Sequence, residues 1–187
     1  MTEIIRQVKK EEVEQLHAIA KRTFYETFKE SYSDKDFEAF FASAYNIEQL
    51  EKEVAQIYSF HYFYEVNSKI VGYLKLDIND AQTEDKGDDY LEIQRIYFGK
   101  AYQGGGRGKQ FIELAIQKAI KYHKSKVWLG VWKHNLQAMD FYDKMDFHVT
   151  VTHEFYTGDV IDKDLIMEKV LSVSYTHLRA HETPEHL

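Results

Sequence analysis

The spacing of apolar residues changes several times along this 187-residue chain, and each change predicts a boundary between secondary-structure elements. A weak alternation of apolar and polar residues over 4–8 predicts a first strand. Apolar residues then recur every three to four positions, and this period predicts three helices, over 10–29, 33–44 and 46–57. The Ser33-Asp34 pair is typical of an N-cap ahead of the second helix, and Asn46 starts the third pattern.

The rest of the chain is dominated by short segments rich in β-branched and aromatic residues. These predicted strands span 60–66, 70–78, 91–98, 126–132, 147–155 and 161–169. The first two are joined by a short hairpin turn at 67–69, and the last two through Gly158. Helical spacing returns at 111–120 and 136–144, while the acidic segment 81–89 is predicted to be a surface loop. An antiparallel hairpin followed by alternating strands and helices predicts an α/β fold, a mixed sheet with helices on both faces.

The body of the chain, 1–171, has no internal repeat and is predicted to form one domain. The last sixteen residues, 172–187, have a different character. They contain three of the nine histidines and the only proline, without apolar periodicity. This segment is interpreted as a disordered or non-native tail outside the fold. Its histidines, His177, His181 and His186, are interpreted as solvated side chains rather than metal ligands.

Composition and charge exclude several classes of protein. A net charge of −7 argues against a nucleic-acid-binding surface, which is normally basic. The absence of cysteine excludes disulfides, thiolate metal sites and a cysteine nucleophile. The first ten residues carry charges where a signal peptide would be apolar, and no apolar run approaches the roughly 18 residues of a membrane span. We therefore expect a cytoplasmic protein that binds neither nucleic acid nor a membrane.

The most informative stretch for function is a glycine-rich turn, Q-G-G-G-R-G over 103–108, which holds four of the nine glycines. It follows a predicted strand and opens a predicted helix, so its backbone N–H groups and the helix dipole favour an anion there. Its spacing matches neither the P-loop, G-x-x-x-x-G-K-[ST], nor the dinucleotide turn, G-x-G-x-x-G. A site for a phosphate or pyrophosphate group is predicted, with a flexible turn that binds no ligand as the alternative.

A second segment, Asn135-x-x-Ala138-x-x-Phe141-Tyr142, lies one predicted helix and one predicted strand beyond the turn. Asn135 and Tyr142 are two helical turns apart, so their side chains emerge on the same helix face. This segment and the Q-x-x-G-x-G spacing of the turn together resemble the two cofactor segments of the GNAT N-acetyltransferase superfamily.

The resemblance sharpens to the bacterial spermidine/spermine N-acetyltransferases and covers nearly the whole of 1–171. The matching segments are 25–28 (Y-E-T-F), 70–76 (I-V-G-Y-L-K-L), 81–84 (A-Q-T-E), 91–98 (L-E-I-Q-R-I-Y-F), 128–132 (W-L-G-V-W) and 164–169 (D-L-I-M-E-K). Two positions depart from the family pattern. Asp146 stands where the family usually has glycine, which puts the local turn in doubt. Lys109 replaces the usual apolar residue after the last turn glycine, so that one packing contact is expected to differ.

The resemblance implies the GNAT fold, a mostly antiparallel mixed sheet with a central pair of parallel strands that splay apart and helices on both faces. It also implies that acetyl-CoA, the cosubstrate, lies between the fourth and fifth strands, with no metal at the site. The residues that it assigns to acetyl-CoA are Ile96, Tyr97, Phe98, Gln103, Gly104, Gly105, Gly106, Arg107, Gly108, Lys109, Asn135, Ala138 and Phe141. The backbone of 96–98 would pair with the pantetheine arm, and the amides of 104–109 would hold the pyrophosphate. Arg107 would add a charge-assisted contact or remain solvated.

Acetyl transfer to an amine needs a base for the ammonium proton and an acid for the departing thiolate. Glu92, four residues before Ile96 on the same predicted strand, is the candidate base, directly or through a water. The alternative is an exposed or ion-paired glutamate. Tyr142 is the candidate acid, because the pKa of a phenol lies only about 1.5 units above that of a thiol. The backbone N–H near Phe98 would stabilise the oxyanion.

A polyamine is extended and polycationic, so its site needs carboxylates and aromatic rings. The candidate residues are Tyr25, Tyr73, Asp77 and Glu84. Acetylation of another amine, such as a protein N-terminus, a lysine or an amino-sugar drug, is an alternative, and so is a non-catalytic sensor of acetyl-CoA or polyamine. The presence of both Glu92 and Tyr142 favours an enzyme. The oligomeric state is left open, with a homodimer as one option.

Overall fold

The computed structural model describes residues 1–157 and 160–171, which form a seven-stranded sheet flanked by five α-helices. In chain order the elements are β1 (Glu3–Gln7), α1 (Val13–Phe28), α2 (Asp34–Ala44), α3 (Ile47–Ala55), β2 (Ser59–Val66), β3 (Lys69–Ile78), β4 (Tyr90–Phe98), α4 (Arg107–Lys121), β5 (Lys126–Trp132), α5 (Leu136–Lys144), β6 (His148–Thr157) and β7 (Val160–Val170). The strand order across the sheet is β1-β2-β3-β4-β5-β7-β6. The predicted α/β fold is confirmed.

Local chemistry explains where the early elements begin. The Ser33 hydroxyl accepts a hydrogen bond from the Asp36 N–H at 3.2 Å, and the Asp36 carboxylate accepts one from the Ser33 N–H, which forms a capping box for α2. The Asn46 side chain caps α3 by accepting from the Gln49 N–H at 2.8 Å. The hairpin between β2 and β3 turns through two residues of positive φ, Asn67 and Ser68. It is therefore one residue shorter than the predicted turn at 67–69.

One strand pair creates the gap on which the site depends. Every neighbouring pair in the sheet is antiparallel except β4 and β5, which pair in parallel over Tyr90–Glu92 and Lys126–Trp128. Farther along, β4 continues to pair with β3, and β5 continues to pair with β7. A register shift in the β3–β4 pairing leaves Gln94 without a partner on β3, and this bulge lies just beyond the point where the β4–β5 pairing ends. The splayed parallel pair that the resemblance implies is confirmed.

Hydrophobic residues cover both faces of the sheet. On one face, α4 packs its buried Phe111 against the rings of Tyr64 on β2 and Phe98 on β4, in a cluster that also contains Ile112, Leu74 and Leu76. On the other face, α1 packs against β3, α3 packs against β2, and α2 packs on α1 through the Phe24 and Phe37 rings, with Phe63 and Tyr73 buried in the same cluster. Side chains of β3 therefore contribute to two hydrophobic cores, one on each face of the sheet, as expected for a sheet with helices on both faces.

Some sequence expectations have specific outcomes here. Asp146, which replaces the usual glycine, follows α5 with φ +68°. The turn is kept because aspartate tolerates the left-handed region better than most residues. Gly158 and the tail 172–187 lie outside the described residues, as do His177, His181 and His186. No helix in the described part of the chain is long and apolar enough to cross a membrane.

Candidate active site

A cavity of about 390 Å³ occupies the gap between β4 and β5. One wall is β4 from Ile93 to Phe98, and the opposite wall is β5 from Leu129 to Trp132. The glycine turn and α5 also line the cavity, as do Thr27 and Phe28 of α1. Of the residues assigned to acetyl-CoA, those lining this cavity are Ile96, Tyr97, Phe98, Gln103, Gly104, Gly106, Gly108, Lys109, Asn135, Ala138 and Phe141. The two predicted cofactor segments, remote in sequence, therefore meet at one cavity.

The glycine turn has the backbone conformation that the sequence motif predicts. Gly104, Gly105 and Gly106 have φ values of +83°, +66° and +80°, a region that glycine adopts without strain. Gly106 is the N-cap of α4, so the first N–H groups of a 15-residue helix lie beside the cavity. A Cβ at Gly104 or Gly106 would meet no protein atom within 4 Å, so this side of the turn is open to a ligand. The turn fits a diphosphate group.

The Arg107 side chain extends toward β1 and does not line the cavity. Its guanidinium donates two hydrogen bonds, of 3.1 and 3.0 Å, to the two carboxylate oxygens of Glu3 on β1, and a third to the Tyr102 carbonyl. Arg107 and Gly105 are absent from the cavity lining, whereas Lys109 belongs to it. In this arrangement Arg107 ties the turn to the sheet edge, and its assignment to acetyl-CoA stays a prediction. Lys109, at the position that departs from the family pattern, is exposed and lines the cavity at the glycine turn.

Two further motif residues have structural roles that the sequence did not reveal. A Cβ at Gly108 would lie 3.0 Å from Cζ of Phe141, so glycine at this position allows α4 and α5 to approach closely. The Asn135 side chain accepts a hydrogen bond from the Ala138 N–H at 3.2 Å and caps α5. This cap sets the direction in which α5 presents Phe141 and Tyr142 to the cavity.

Tyr142, the residue predicted to be the proton donor, is a buried part of the cavity wall. It lines the cavity, is 7% exposed, and packs against the rings of Phe141 and Phe147. Burial raises the pKa of the Tyr142 phenol well above its usual value, because the charged phenolate loses its hydration. The hydroxyl therefore stays protonated at neutral pH and is able to donate a hydrogen bond or a proton.

Glu92 is the last residue of β4 that pairs with β5, at the point where the gap between these strands begins. It is 3% exposed and lies opposite Asp77 of β3 in the register. One carboxylate oxygen accepts from the Thr83 N–H at 2.7 Å and the other from the Thr83 hydroxyl at 2.6 Å. Burial raises the pKa of Glu92 to about 7, although the hydrogen bonds from Thr83 oppose that rise. Glu92 does not belong to the cavity lining, so a proton from the cavity would reach it through an intervening water.

A buried cluster of charged side chains on β3, β4 and α3 lies near Glu92, which faces Asp77 in the register. Lys75 of β3 lies 3.4 Å from the Asp77 carboxylate and 3.8 Å from Glu53 of α3. Lys75 also donates a hydrogen bond to Gln94, which lines the cavity from the β4 bulge. Arg95 forms hydrogen bonds of 2.7 and 3.2 Å with the two Glu53 carboxylate oxygens. The Gln94 side chain is thus the point where this charged cluster reaches the cavity wall.

The four residues predicted for the amine acceptor do not line the cavity. Tyr73 and Asp77 are fully buried: the Tyr73 ring stacks on Tyr97, and Asp77 accepts a hydrogen bond from Ser59. Tyr25 is 44% exposed on α1, with its ring beside Phe37, and Glu84 lies in the loop between β3 and β4. Their assignment to the acceptor stays a prediction.

Several residues in or beside the cavity were missed by the sequence analysis. Phe28 and Trp132 line the cavity with their ring centroids 5.4 Å apart. Neither was predicted to be a site residue, although both belong to segments on which the family resemblance rests. Asp164 of β7 lies beside Gly130, since a Cβ there would be 3.3 Å from the carboxylate. Gln94 had a readable signal, because two consecutive polar residues, Gln94 and Arg95, break the alternation expected of a strand and indicate a bulge. Within the described residues, no group of three or more histidine, aspartate or glutamate side chains is placed to hold a metal ion.

Comparison with known proteins identifies acetyltransferases as relatives of this chain. Residues 13–147 match the model of the acetyltransferase (GNAT) family. The chain is 39% identical to an uncharacterized N-acetyltransferase of Lactobacillus delbrueckii subsp. lactis, over 88% of this chain and 95% of that protein. It is 26% identical to a probable spermine N(1)-acetyltransferase of Bacillus subtilis subsp. natto, over 51% of this chain and 64% of that protein.

Similarity of structure extends over most of the chain. The PaiA N-acetyltransferase of Thermoplasma acidophilum, solved in complex with coenzyme A, superposes with a TM-score of 0.75 at 23% identity, covering 91% of this chain and 99% of that one. That similarity supports the fold, while the family match and the Lactobacillus relative extend over the segments that build the cavity. The chain belongs to the acetyltransferase (GNAT) family and is an acyltransferase.

Proposed function

We propose that the enzyme transfers the acetyl group of acetyl-CoA to a primary amine of a polyamine such as spermidine or spermine. The observation that carries the proposal is that one cavity connects the glycine turn, Tyr142 and an aromatic pair, Phe28 and Trp132. A diphosphate-binding turn, a buried proton donor and a cation-binding aromatic pair are what such a transfer requires of the protein.

The residues present fit acetyl-CoA as the acetyl donor. The N-terminus of α4 supplies several N–H groups and a positive dipole end, and Lys109 supplies a cation beside them. Beyond Glu92, the described part of β4 no longer pairs with β5, so its backbone edge at 96–98 is available to the amides of the pantetheine arm. The diphosphate and the arm would then follow the cavity from the turn toward Tyr142.

The reaction is direct attack of the free amine on the thioester carbonyl. The nitrogen forms a bond to the carbonyl carbon, and the carbon–sulfur bond breaks. Glu92 receives the amine proton through a water, and with a pKa of about 7 it is partly ionised at neutral pH. The Tyr142 hydroxyl donates to the departing sulfur, since burial keeps this phenol protonated. The backbone N–H near Phe98 stabilises the oxyanion.

The polyamine class rests on the chemistry of this aromatic pair and its surroundings and on two relatives. Phe28 and Trp132 offer aromatic faces to an ammonium group, and the Asp164 carboxylate lies next to Gly130 on the β5 wall. The relatives, at 26% and 25% identity over 97 residues, are named as spermine or spermine/spermidine N(1)-acetyltransferases. A net charge of −7 favours encounter with a polycation.

The test is release of free coenzyme A thiol from acetyl-CoA in the presence of different amines. The panel is spermine, spermidine, a lysine-containing peptide, a peptide with a free N-terminus and an aminoglycoside. We expect the largest kcat/KM with spermine or spermidine. A larger value with a peptide or an aminoglycoside would replace the polyamine by that class of acceptor.

A matched control separates an enzyme from a sensor. Tyr142→Phe is expected to lower thiol release with every amine while leaving the dissociation constant of coenzyme A unchanged. Tight binding of acetyl-CoA by the wild-type protein, with no thiol release above background for any amine, would contradict an enzymatic function.

A further inference from the structure

The loop between β3 and β4 covers the candidate base. Both carboxylate oxygens of Glu92 are held by a single residue of this loop, because Thr83 donates its N–H to one and its hydroxyl to the other. Thr83 is exposed at its outer side, while Glu92 is buried. The contact therefore joins a surface residue, nine positions earlier in the chain, to a group deep in the sheet.

The loop itself is pinned to the sheet on both sides of Thr83. On one side, the Gln82 side-chain oxygen accepts from the Trp128 indole N–H at 2.7 Å. On the other, the Lys86 ammonium lies 3.1 Å from the Glu168 carboxylate and 5.4 Å from the ring centroids of both Trp128 and Tyr90. A cation held by a carboxylate and two aromatic faces is an anchor with both ionic and cation–π components.

The charges around Glu92 explain why hydrogen bonds to its carboxylate are needed. Burial is the main cause that raises the pKa of Glu92, and of the charged residues on β3, Asp77 raises it while Lys75 lowers it. Glu53 of α3 and Arg95 of β4 pair with each other next to Lys75. His61 of β2 is neutral, because burial lowers its pKa to about 3. Because Asp77 and Lys75 act in opposite directions, the two hydrogen bonds from Thr83 are the main contacts that favour the ionised form of Glu92.

We propose that Thr83 is a positioning residue that holds the carboxylate of Glu92 in the orientation and ionisation state required of a base, and that Lys86 anchors the loop presenting Thr83. The inference rests on the proposed function, in which Glu92 receives the amine proton. It adds a role for the β3–β4 loop, whose residues lie outside the cavity lining.

The first experiment compares Thr83→Val with Thr83→Ser in pH profiles of kcat/KM for the amine. Valine keeps the backbone N–H and the shape of the side chain but removes the hydroxyl donor. We expect the acid limb of the Thr83→Val profile to shift upward by about one pH unit, with the dissociation constant of acetyl-CoA unchanged. Thr83→Ser is expected to restore the wild-type midpoint. Identical profiles for threonine and valine would overturn the role of Thr83.

The second experiment tests the anchor with a matched pair of lysines. Lys86→Met removes the ion pair to Glu168, while Lys126→Met removes a neighbouring lysine that lies 5.0 Å over the same Tyr90 ring but belongs to β5 rather than the loop. We expect Lys86→Met to shift the midpoint upward and Lys126→Met to leave it unchanged. Equal shifts in the two variants would assign the effect to lost charge and overturn the anchor.

A direct titration keeps this inference separate from the proposed function. The side-chain carboxyl signal of Glu92, followed by ¹³C NMR, reports its pKa whether or not Glu92 takes part in catalysis. We expect a higher pKa in Thr83→Val than in the wild type. An acid limb that survives in Glu92→Gln would contradict Glu92 as the base, whereas an unchanged Glu92 titration in Thr83→Val would contradict its positioning by Thr83.

Discussion

The substitution Gly106→Ala, which adds a single methyl group to the glycine turn, should weaken ligand binding without preventing folding. Gly106 has φ +80° and ψ 5°, and a Cβ there would meet no protein atom within 4 Å. Alanine at this position therefore clashes with nothing in the protein itself. Its two effects are backbone strain, and a methyl group on the open side of the turn where a diphosphate would lie.

The size of each effect follows from the structure. An L-residue in the left-handed region costs about 1–2 kcal/mol in stability. Each charge-assisted hydrogen bond to the diphosphate that the methyl group prevents is worth about 1.5–3 kcal/mol, which corresponds to about 10- to 150-fold in affinity. We therefore expect Gly106→Ala to be folded, moderately less stable, and at least 10-fold weaker in binding coenzyme A.

Gly87 provides the matched control for strain. It has φ +95°, a Cβ there would also meet nothing within 4 Å, and it lies in the β3–β4 loop rather than the turn. Thermal melting should show similar losses of stability for Gly87→Ala and Gly106→Ala, whereas calorimetry should show weaker coenzyme A binding for Gly106→Ala alone. Coenzyme A affinity of Gly106→Ala within twofold of the wild type would refute the assignment of the turn.

The other predictions concern the proton donor, the buried carboxylate and a tight packing contact. Tyr142→Phe should lower kcat by about 10- to 10⁴-fold in steady-state assays, because the phenol proton is lost, and unchanged kcat would remove its role. Glu92→Gln should lower kcat about 10²- to 10⁴-fold in the same assay. Glu92→Gln should also raise the melting temperature at pH 8 but not at pH 5. The pKa of Glu92 in the folded protein is about 7, above its value in the unfolded chain. The stability that the protonated Glu92 contributes is therefore lost as the pH rises through 7, whereas glutamine stays neutral. Equal melting temperatures of Glu92→Gln and the wild type at pH 8 would contradict a buried Glu92 carboxyl with a raised pKa. Gly72→Ala should lower the free energy of unfolding by about 1–3 kcal/mol in urea, since its Cβ would lie 2.5 Å from the Phe98 ring and 2.8 Å from the Tyr97 carbonyl oxygen. Wild-type stability would show that Phe98 moves freely.

The elements of the fold are readable from the sequence because they depend on local patterns. The predicted bounds of β5 and α5, 126–132 and 136–144, agree with the structure, and the α2 cap at Ser33 is confirmed. The turn at 104–106 is equally local, because only glycine adopts three consecutive positive φ values at little cost. The gap between β4 and β5 was inferred from the family resemblance rather than from periodicity.

The site is less readable because its chemistry depends on contacts between distant segments. The interaction of Arg107 with Glu3 joins residues 104 positions apart, and no pattern around the turn reveals it. Tyr73 and Asp77 have the residue types of a cation site, yet the strand period alone does not show that both faces of β3 are buried. The hold of Thr83 on Glu92 likewise requires the loop to fold back over the sheet.

A structure of the protein with bound coenzyme A is the most direct test of the acetyl-CoA site. We expect the diphosphate within hydrogen-bonding distance of the amides of 104–109, and the sulfur in the gap between β4 and β5 beside the Tyr142 hydroxyl. A diphosphate bound elsewhere, for example in the groove of α1 and α2 lined by Lys21 and Phe41, with the glycine turn unoccupied, would contradict it.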